Sequence, residues 1–307
     1  MRTLPFLLLL FISLVSFSRA ETPAPLGRLL AKKYQAMGNA ETAVVLVYLK
    51  DKGSRGRKEL YSATELLSSK SIARRTRVLK HSEIFTEQDI PVDASYIAEI
   101  SRNVTRTRHA LKWFNALSAE ATKAQIDALR RRPFVKEVEL VGRWRGTPEP
   151  EQPDLKTGPA PDELSAAHLL DYGASITQNA QIDVPEVHDL GIFGEGVTIG
   201  VFDNGFRLLT HQSFDSMNII AQYDFVDHKV SVVPNNPSTG FGSHGVNTLS
   251  TIGGYRPGQL IGPAFRADYI LTRTENDSSE TPVEEDNWVA AIEWADSIGV
   301  DVTSTSL

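Results

Sequence analysis

Two residues in this sequence have the types and settings that could do chemistry together. Asp203 directly follows the apolar run Gly196-Val197-Thr198-Ile199-Gly200-Val201-Phe202 and precedes Asn204-Gly205. An acid at the carboxyl end of a buried parallel strand lies where α/β folds build their sites. His244 sits in Gly242-Ser243-His244-Gly245, at the start of a segment that reads as an amphipathic helix over His244–Ile252. A carboxylate beside an imidazole fixes the ring's tautomer and supports it as a general base, which a serine hydroxyl needs in order to act as a nucleophile. Either residue alone carries a plainer reading: a turn-forming Asp-Asn-Gly for the first, a surface or core histidine for the second. That plainer reading is the default for His81, His109, His168, His188, His211 and His228.

The elements that must position this pair alternate between strand and helix, as in a parallel α/β sheet. The stretch 196–202 is nearly all apolar, as expected of a strand covered on both faces. Gly253-Gly254 ends the helix that starts at His244, and Ala267–Leu271 is the next strand. Thr281-Pro282-Val283-Glu284 has the parts of a capping box with proline at the first helical position. Val289, Ile292, Ala295 and Ile298 would line one face of the helix that follows, and Gly299 would end it. Val300-Asp301-Val302 begins a further strand, and a domain that stops as a strand begins is expected to belong to a longer protein.

Upstream, Ala43–Leu49 is a β-branched run that predicts a strand. Ser118 is expected as a helix N-cap, with Glu120 in the first turn and Ile126 and Leu129 on one face. Pro133 would stop that helix, and Phe134–Val141 would follow as a strand. The basic cluster Arg102–Arg108 reads as a solvated face. Between the two halves, GTPEPEQPDLKTGPAP (residues 146–161) has no apolar period and reads as a linker.

The chain begins as an export signal does. Arg2 precedes the apolar run Leu4–Val15, and Ser18-Arg19-Ala20 offers small residues for cleavage, so residues 1–20 read as a signal peptide and the mature segment starts near Glu21. That run is too short for a comfortable membrane span. A secreted, periplasmic or extracellular location is therefore expected. The 307 residues contain no cysteine, which excludes a disulfide framework, a cysteine nucleophile and thiolate metal sites. A net charge of -6 argues against nucleic acid as the main partner.

The blocks around the pair resemble those of the subtilisin-like serine proteases, the subtilases. Gly194–Phe206 is similar to the family's Asp block and Ser243–Gly254 to its His block. Leu260–Ala267 resembles the Gly-x-Ala-Pro-x-Ala turn, and Gly299–Leu307 the strand ending in Ser-Leu-Gly. The blocks occur in family order over about Tyr172 to Leu307. Asn204 stands where Thr or Ser is usual, Val246 and Asn247 depart from the His block, and Gly262-Pro263-Ala264 permutes the turn motif.

The resemblance implies a parallel subtilisin-like α/β sheet with flanking helices, here incomplete, over residues 162–307. Before it, residues 21–145 resemble the family's propeptide, an α+β ferredoxin-like unit that assists folding and inhibits the enzyme. It implies an exported endopeptidase acting on protein or peptide substrates by an Asp-His-Ser mechanism. Asp203 and His244 would be catalytic, and Ser306 and Leu307 would lie along the substrate backbone. No Gly-Thr-Ser block is present, and Ser250, Ser278, Ser304 and Ser306 lack that context, so the nucleophile is expected beyond Leu307 and the fragment as given is expected to be inactive. The chemistry requires no cofactor. Relatives also bind structural calcium, for which Glu275-Asn276-Asp277 and Glu284-Glu285 are the acidic candidates, against the plainer expectation of a solvated loop and a helix cap. The alternative to an active protease is a non-catalytic relative that binds peptides or inhibits proteases.

Overall fold

Strand β1 (Thr42–Leu49) forms where the β-branched run predicted it, in a computed structural model that describes residues 22–54, 56–141, 168–235, 241–276 and 285–306. Alternate residues of β1 face inward, and Val45 and Val47 are fully buried. Helix α1 (Arg28–Ala36) precedes it. After it come α2 (Ala63–Leu66), α3 (Ser69–Val78), α4 (Ala94–Ser101), β2 (Arg106–Leu111), β3 (Ala116–Thr122), α5 (Lys123–Arg130) and β4 (Val135–Leu140). The sheet order is β2-β3-β1-β4 with every neighbour antiparallel. With α4 and α5 as its connecting helices, this is the β-α-β-β-α-β plan of a ferredoxin-like unit. Leu30, Ile100, Leu117, Ile126, Leu129 and Val138 join β1 in one core.

Two upstream expectations need correction. Ser118 is not a helix cap: it lies inside β3, opposite Leu46. Its hydroxyl accepts from the His109 N–H at 3.1 Å, at the irregularity where β2 and β3 slip register. The cap is Thr122, whose hydroxyl accepts from the Gln125 N–H while the Gln125 side-chain oxygen Oε1 accepts from the Thr122 N–H at 2.9 Å. Pairing with β1 from Thr42↔Thr122 to Tyr48↔Ala116 keeps these residues extended, so a distant ladder overrides a local capping signal. The basic cluster is also not uniformly solvated. Arg106 is about half exposed, but the Arg108 side chain is only 8% exposed, held against the second unit.

That second unit begins with α6 (Ile176–Ala180) and α7 (Val184–Asp189). Strands β5 (Thr198–Asp203) and β6 (Asn218–Asp224), helix α8 (His244–Gly253), and the short pair β7 (Tyr255–Arg256) and β8 (Leu260–Ile261) follow. Strand β9 (Asp268–Arg273), helix α9 (Glu285–Ile298) and strand β10 (Val302–Thr305) complete it. The main sheet has the order β10-β5-β9-β6 and is parallel throughout. Helix α8 packs on one face through Leu249 against Val201 and Leu271; α9 packs on the other through Ala291 and Ala295 against Phe202 and Ile270. This is the expected α/β class. The amphipathic face read for α9 is only half the story, because Asp286, Asn287 and Glu293 on its other side are buried too. They meet the upstream unit, so α9 lies between two sheets.

The segments read as a signal peptide (1–20), a linker (146–161) and a capping box (Thr281–Glu284), together with Leu307, lie outside the described residues. Among the described residues, no helix is long and apolar enough to cross a membrane.

Candidate active site

All six residues of β5 are buried, which holds Asp203 rigidly at the strand's carboxyl end. Its carboxylate is fully buried, whereas the His244 ring, on the first residue of α8, is 58% exposed. The ring's Nδ1 lies 2.8 Å from Asp203 Oδ1. That oxygen also accepts from the Asn204 N–H at 2.7 Å, and the other, Oδ2, is buried with no hydrogen-bond partner among the described residues. A buried carboxylate oxygen with no donor is a costly arrangement, and such costs gather at functional sites.

Local backbone geometry explains how the two blocks meet. A Cβ on Gly245 would lie 2.3 Å from the Gly205 carbonyl oxygen and 3.0 Å from Asp203 Cβ, so only glycine lets α8 approach the end of β5 so closely. The Asn204 side-chain oxygen accepts from the Gly245 N–H at 3.1 Å. The asparagine that departs from the family's usual residue thus ties the Asp block to the His block.

Sequence reasoning missed Arg273. It is wholly buried; its Nε donates to the Asn204 carbonyl at 3.0 Å, and Nη1 reaches Asp224 and Asp227, each at 2.9 Å. The Thr274 N–H donates to the Asp203 carbonyl at 3.0 Å. The end of β9 therefore holds both peptide carbonyls at the site. The available signal was an arginine closing a strand whose centre, Tyr269-Ile270-Leu271, is apolar and buried. Ser306 continues β10 beside β5, its N–H 3.3 Å from the Phe202 carbonyl. Leu307 lies outside the described residues. His188 is a core residue between the Tyr172 hydroxyl and the Pro263 carbonyl, as the plainer reading of the other histidines expects. Among the described residues, no three His, Asp or Glu side chains gather as a metal site.

The upstream unit sits on α9. Arg108 makes a two-pronged pair with Asp286, at 2.7 and 3.0 Å. His109 Nε2 lies 2.7 Å from Asn287 Oδ1, and Asn287 Nδ2 donates to the Thr274 carbonyl at 3.0 Å. The N–H groups of Lys112 and Trp113 donate to the Glu293 carboxylate at 2.8 and 2.9 Å. Burial pushes His109 down to about 4, outweighing the pull of Asp286 in the other direction; His228 beside it is lowered as well, chiefly by burial.

Because the folded value for His109 lies below its ordinary 6.5, the unfolded chain takes up the proton first as pH falls. The stability it contributes is complete above about pH 6.5 and is lost towards pH 4, on the order of 3 kcal/mol in all. Glu293, raised chiefly by burial, acts in the opposite sense as pH falls. A comparison with His109→Gln cancels that contribution. The wild-type chain should lose more unfolding free energy than the variant between pH 7 and pH 4 in denaturant titrations; parallel pH profiles would refute the assignment.

Comparisons with known proteins agree with this architecture. Residues 44–155 match the family described as the peptidase S8 propeptide domain of Bacteroidota. Neuroendocrine convertase 2 of Homo sapiens is 31% identical over 86 residues, covering 28% of this chain and 14% of the relative, and that of Sus scrofa matches equally. Fervidolysin from Fervidobacterium pennivorans, a keratinolytic enzyme related to subtilisin, superposes with a TM-score of 0.51 at 15% identity, over 92% of this chain and 37% of its own. The chain thus spans well under half the length of these relatives. Residues 44–155 thus match a peptidase S8 propeptide model, and the fold over most of the chain is similar to that of an enzyme related to subtilisin, which together support a subtilase with its propeptide.

Proposed function

We propose that this chain carries the propeptide and the Asp-His part of an exported serine endopeptidase. The observation that carries the reading is the 2.8 Å contact between His244 Nδ1 and a fully buried Asp203 carboxylate, with the ring otherwise more than half exposed. Asp203 accepts the Nδ1 proton and so leaves Nε2 as the base. Nε2 takes the proton from a serine hydroxyl as that oxygen attacks a peptide carbonyl, and Asp203 stabilises the imidazolium so formed. The same proton then passes to the leaving amine. The serine and its oxyanion donors would come from sequence beyond Leu307. Ser306 and Leu307 would pair with an extended substrate by main-chain hydrogen bonds.

Residues 21–145 would act as the intramolecular inhibitor, a role supported by the propeptide match and by the contacts on α9. Export rests on residues 1–20. Any structural calcium would be held by acids such as Glu275 and Asp277, and the chemistry itself needs no metal.

The test is to express the coding sequence through the next serine block and treat the product with a fluorophosphonate probe and a peptide substrate. Labelling and hydrolysis that both vanish in His244→Ala are expected. Peptide binding without hydrolysis, unchanged by His244→Ala, would instead identify a non-catalytic relative.

A further inference from the structure

A ferredoxin-like unit needs only a short connection between its first strand and first helix, yet here residues 50–93 intervene and carry α2 and α3. Helix α3 points its amino end at the carboxyl end of α9. The last carbonyls of a helix have no partner further along it. In α9 those of Asp296, Ser297 and Ile298 receive donors from this insertion: the Ser71 hydroxyl at 2.8 Å, the Ser68 N–H at 2.9 Å and the Ser68 hydroxyl. Ser68 Oγ also accepts from the Ser71 N–H at 3.0 Å, so one serine caps both helices. The abutting ends have opposite dipole charge, which favours the contact.

The backbone leaves room for this junction. Gly299 ends α9 with φ +107°, and a Cβ there would lie 2.6 Å from the Ser71 nitrogen. Charges then lock the position. The Asp296 carboxylate takes both Arg74 and Arg75, and Arg75 also grips the buried Asp89 at 2.8 and 3.0 Å. Lys70 bonds to Thr198 and pairs with Asp268 at 3.5 Å and Asp301 at 3.8 Å, at the amino ends of β5, β9 and β10. Asp203, with His244 beside it, is at the opposite, carboxyl end of β5.

We infer that residues 50–93 are a second docking arm of the propeptide, whose partner is the last turn of α9 and the amino ends of the strands beside it. The arm supplies the C-cap of α9 from another domain. With Arg108 and Glu293 engaged elsewhere on the same helix, the propeptide holds α9 along its whole length and orders the turn into β10. This holds whether or not Asp203 and His244 are catalytic.

Hydrogen exchange on the full 307-residue chain tests it. Ser68→Ala with Ser71→Ala should speed exchange at residues 296–302 about tenfold, the effect of losing both hydroxyl donors to the carbonyls of α9, while 285–291 and 42–49 stay protected. Arg108→Gln should do the reverse, loosening 285–291 and sparing 296–302. Ser68→Thr, which keeps a hydroxyl donor, should restore protection at 296–302 when only Ser68 is changed. Unchanged exchange at 296–302 in the serine variant, or an equal rise across all three segments in a variant that remains folded, would overturn the inference. Should the double variant lose protection over 42–49 and prove unfolded, Ser71→Ala alone decides, since its hydroxyl donates to Asp296.

Discussion

Asp203→Asn should lower kcat about 10⁴-fold in the serine-bearing enzyme while leaving the folded chain as stable as before, or more so. The loss has the size known for the wrong tautomer in an Asp-His-Ser triad. A carboxylate can only accept from Nδ1, so it leaves Nε2 as the base. An amide can donate to Nδ1 instead, which puts the ring proton on Nε2 and removes the base. Stability should respond the other way for a separate reason. The Asp203 carboxylate is fully buried, and Oδ2 has no hydrogen-bond partner among the described residues. Removing the charge relieves a desolvation cost without changing the side chain's volume. Steady-state kinetics with the reconstituted enzyme and thermal unfolding of the 307-residue chain read the two effects apart. A variant that lost both activity and several degrees of melting temperature would mean that Asp203 is chiefly structural.

Arg108→Ala should destabilise the chain by about 3–5 kcal/mol, the usual cost of stranding one member of a buried ion pair. Asp286, its partner, has a side chain that is 0% exposed, and the pairing is two-pronged. Alanine removes the cation, and the carboxylate stays in the interface with the Arg108 donors gone. The measurement is the denaturant midpoint of the full chain, together with the slope, which should hold if only the native state is affected. Arg108→Met combined with Asp286→Leu is the control. If the cost is the stranded charge, the apolar pair should recover most of the loss. A loss below about 1 kcal/mol for Arg108→Ala would show that water reaches Asp286 and that the pair behaves like a surface one.

Arg108 and Asp203 lie on opposite sides of one helix-and-sheet arrangement, and a chain of hydrogen bonds runs between the two sides. Asn287, bonded to His109 of the upstream unit, donates to the Thr274 carbonyl, and the Thr274 N–H donates to the Asp203 carbonyl. The upstream unit therefore lies three hydrogen bonds away from Asp203, which bonds to His244.

Much of this was legible in the residues themselves. The apolar run before Asp203, the helix starting at His244 and the breaker at Gly299 are local statements, and each local rule agreed with the fold. Strand β1 was equally plain, because a β-branched run carries its own signal. Where a local rule failed, a distant partner had won. Ser118 looked like a cap until β1 paired along its whole segment, and Arg108 looked solvated until Asp286 buried it.

The sequence by itself determined which residues can be strand, helix and turn, and that one acid and one histidine stand at element ends suited to chemistry. Only the tertiary structure decided that the two side chains meet at 2.8 Å, that Arg273 braces the peptides beside them, and that α9 is covered on both faces. The physical reason is range. Propensity, capping and periodicity act over a few residues along the chain, whereas hydrogen bonds, ion pairs and buried area depend on neighbours that the chain brings together from tens to hundreds of residues away.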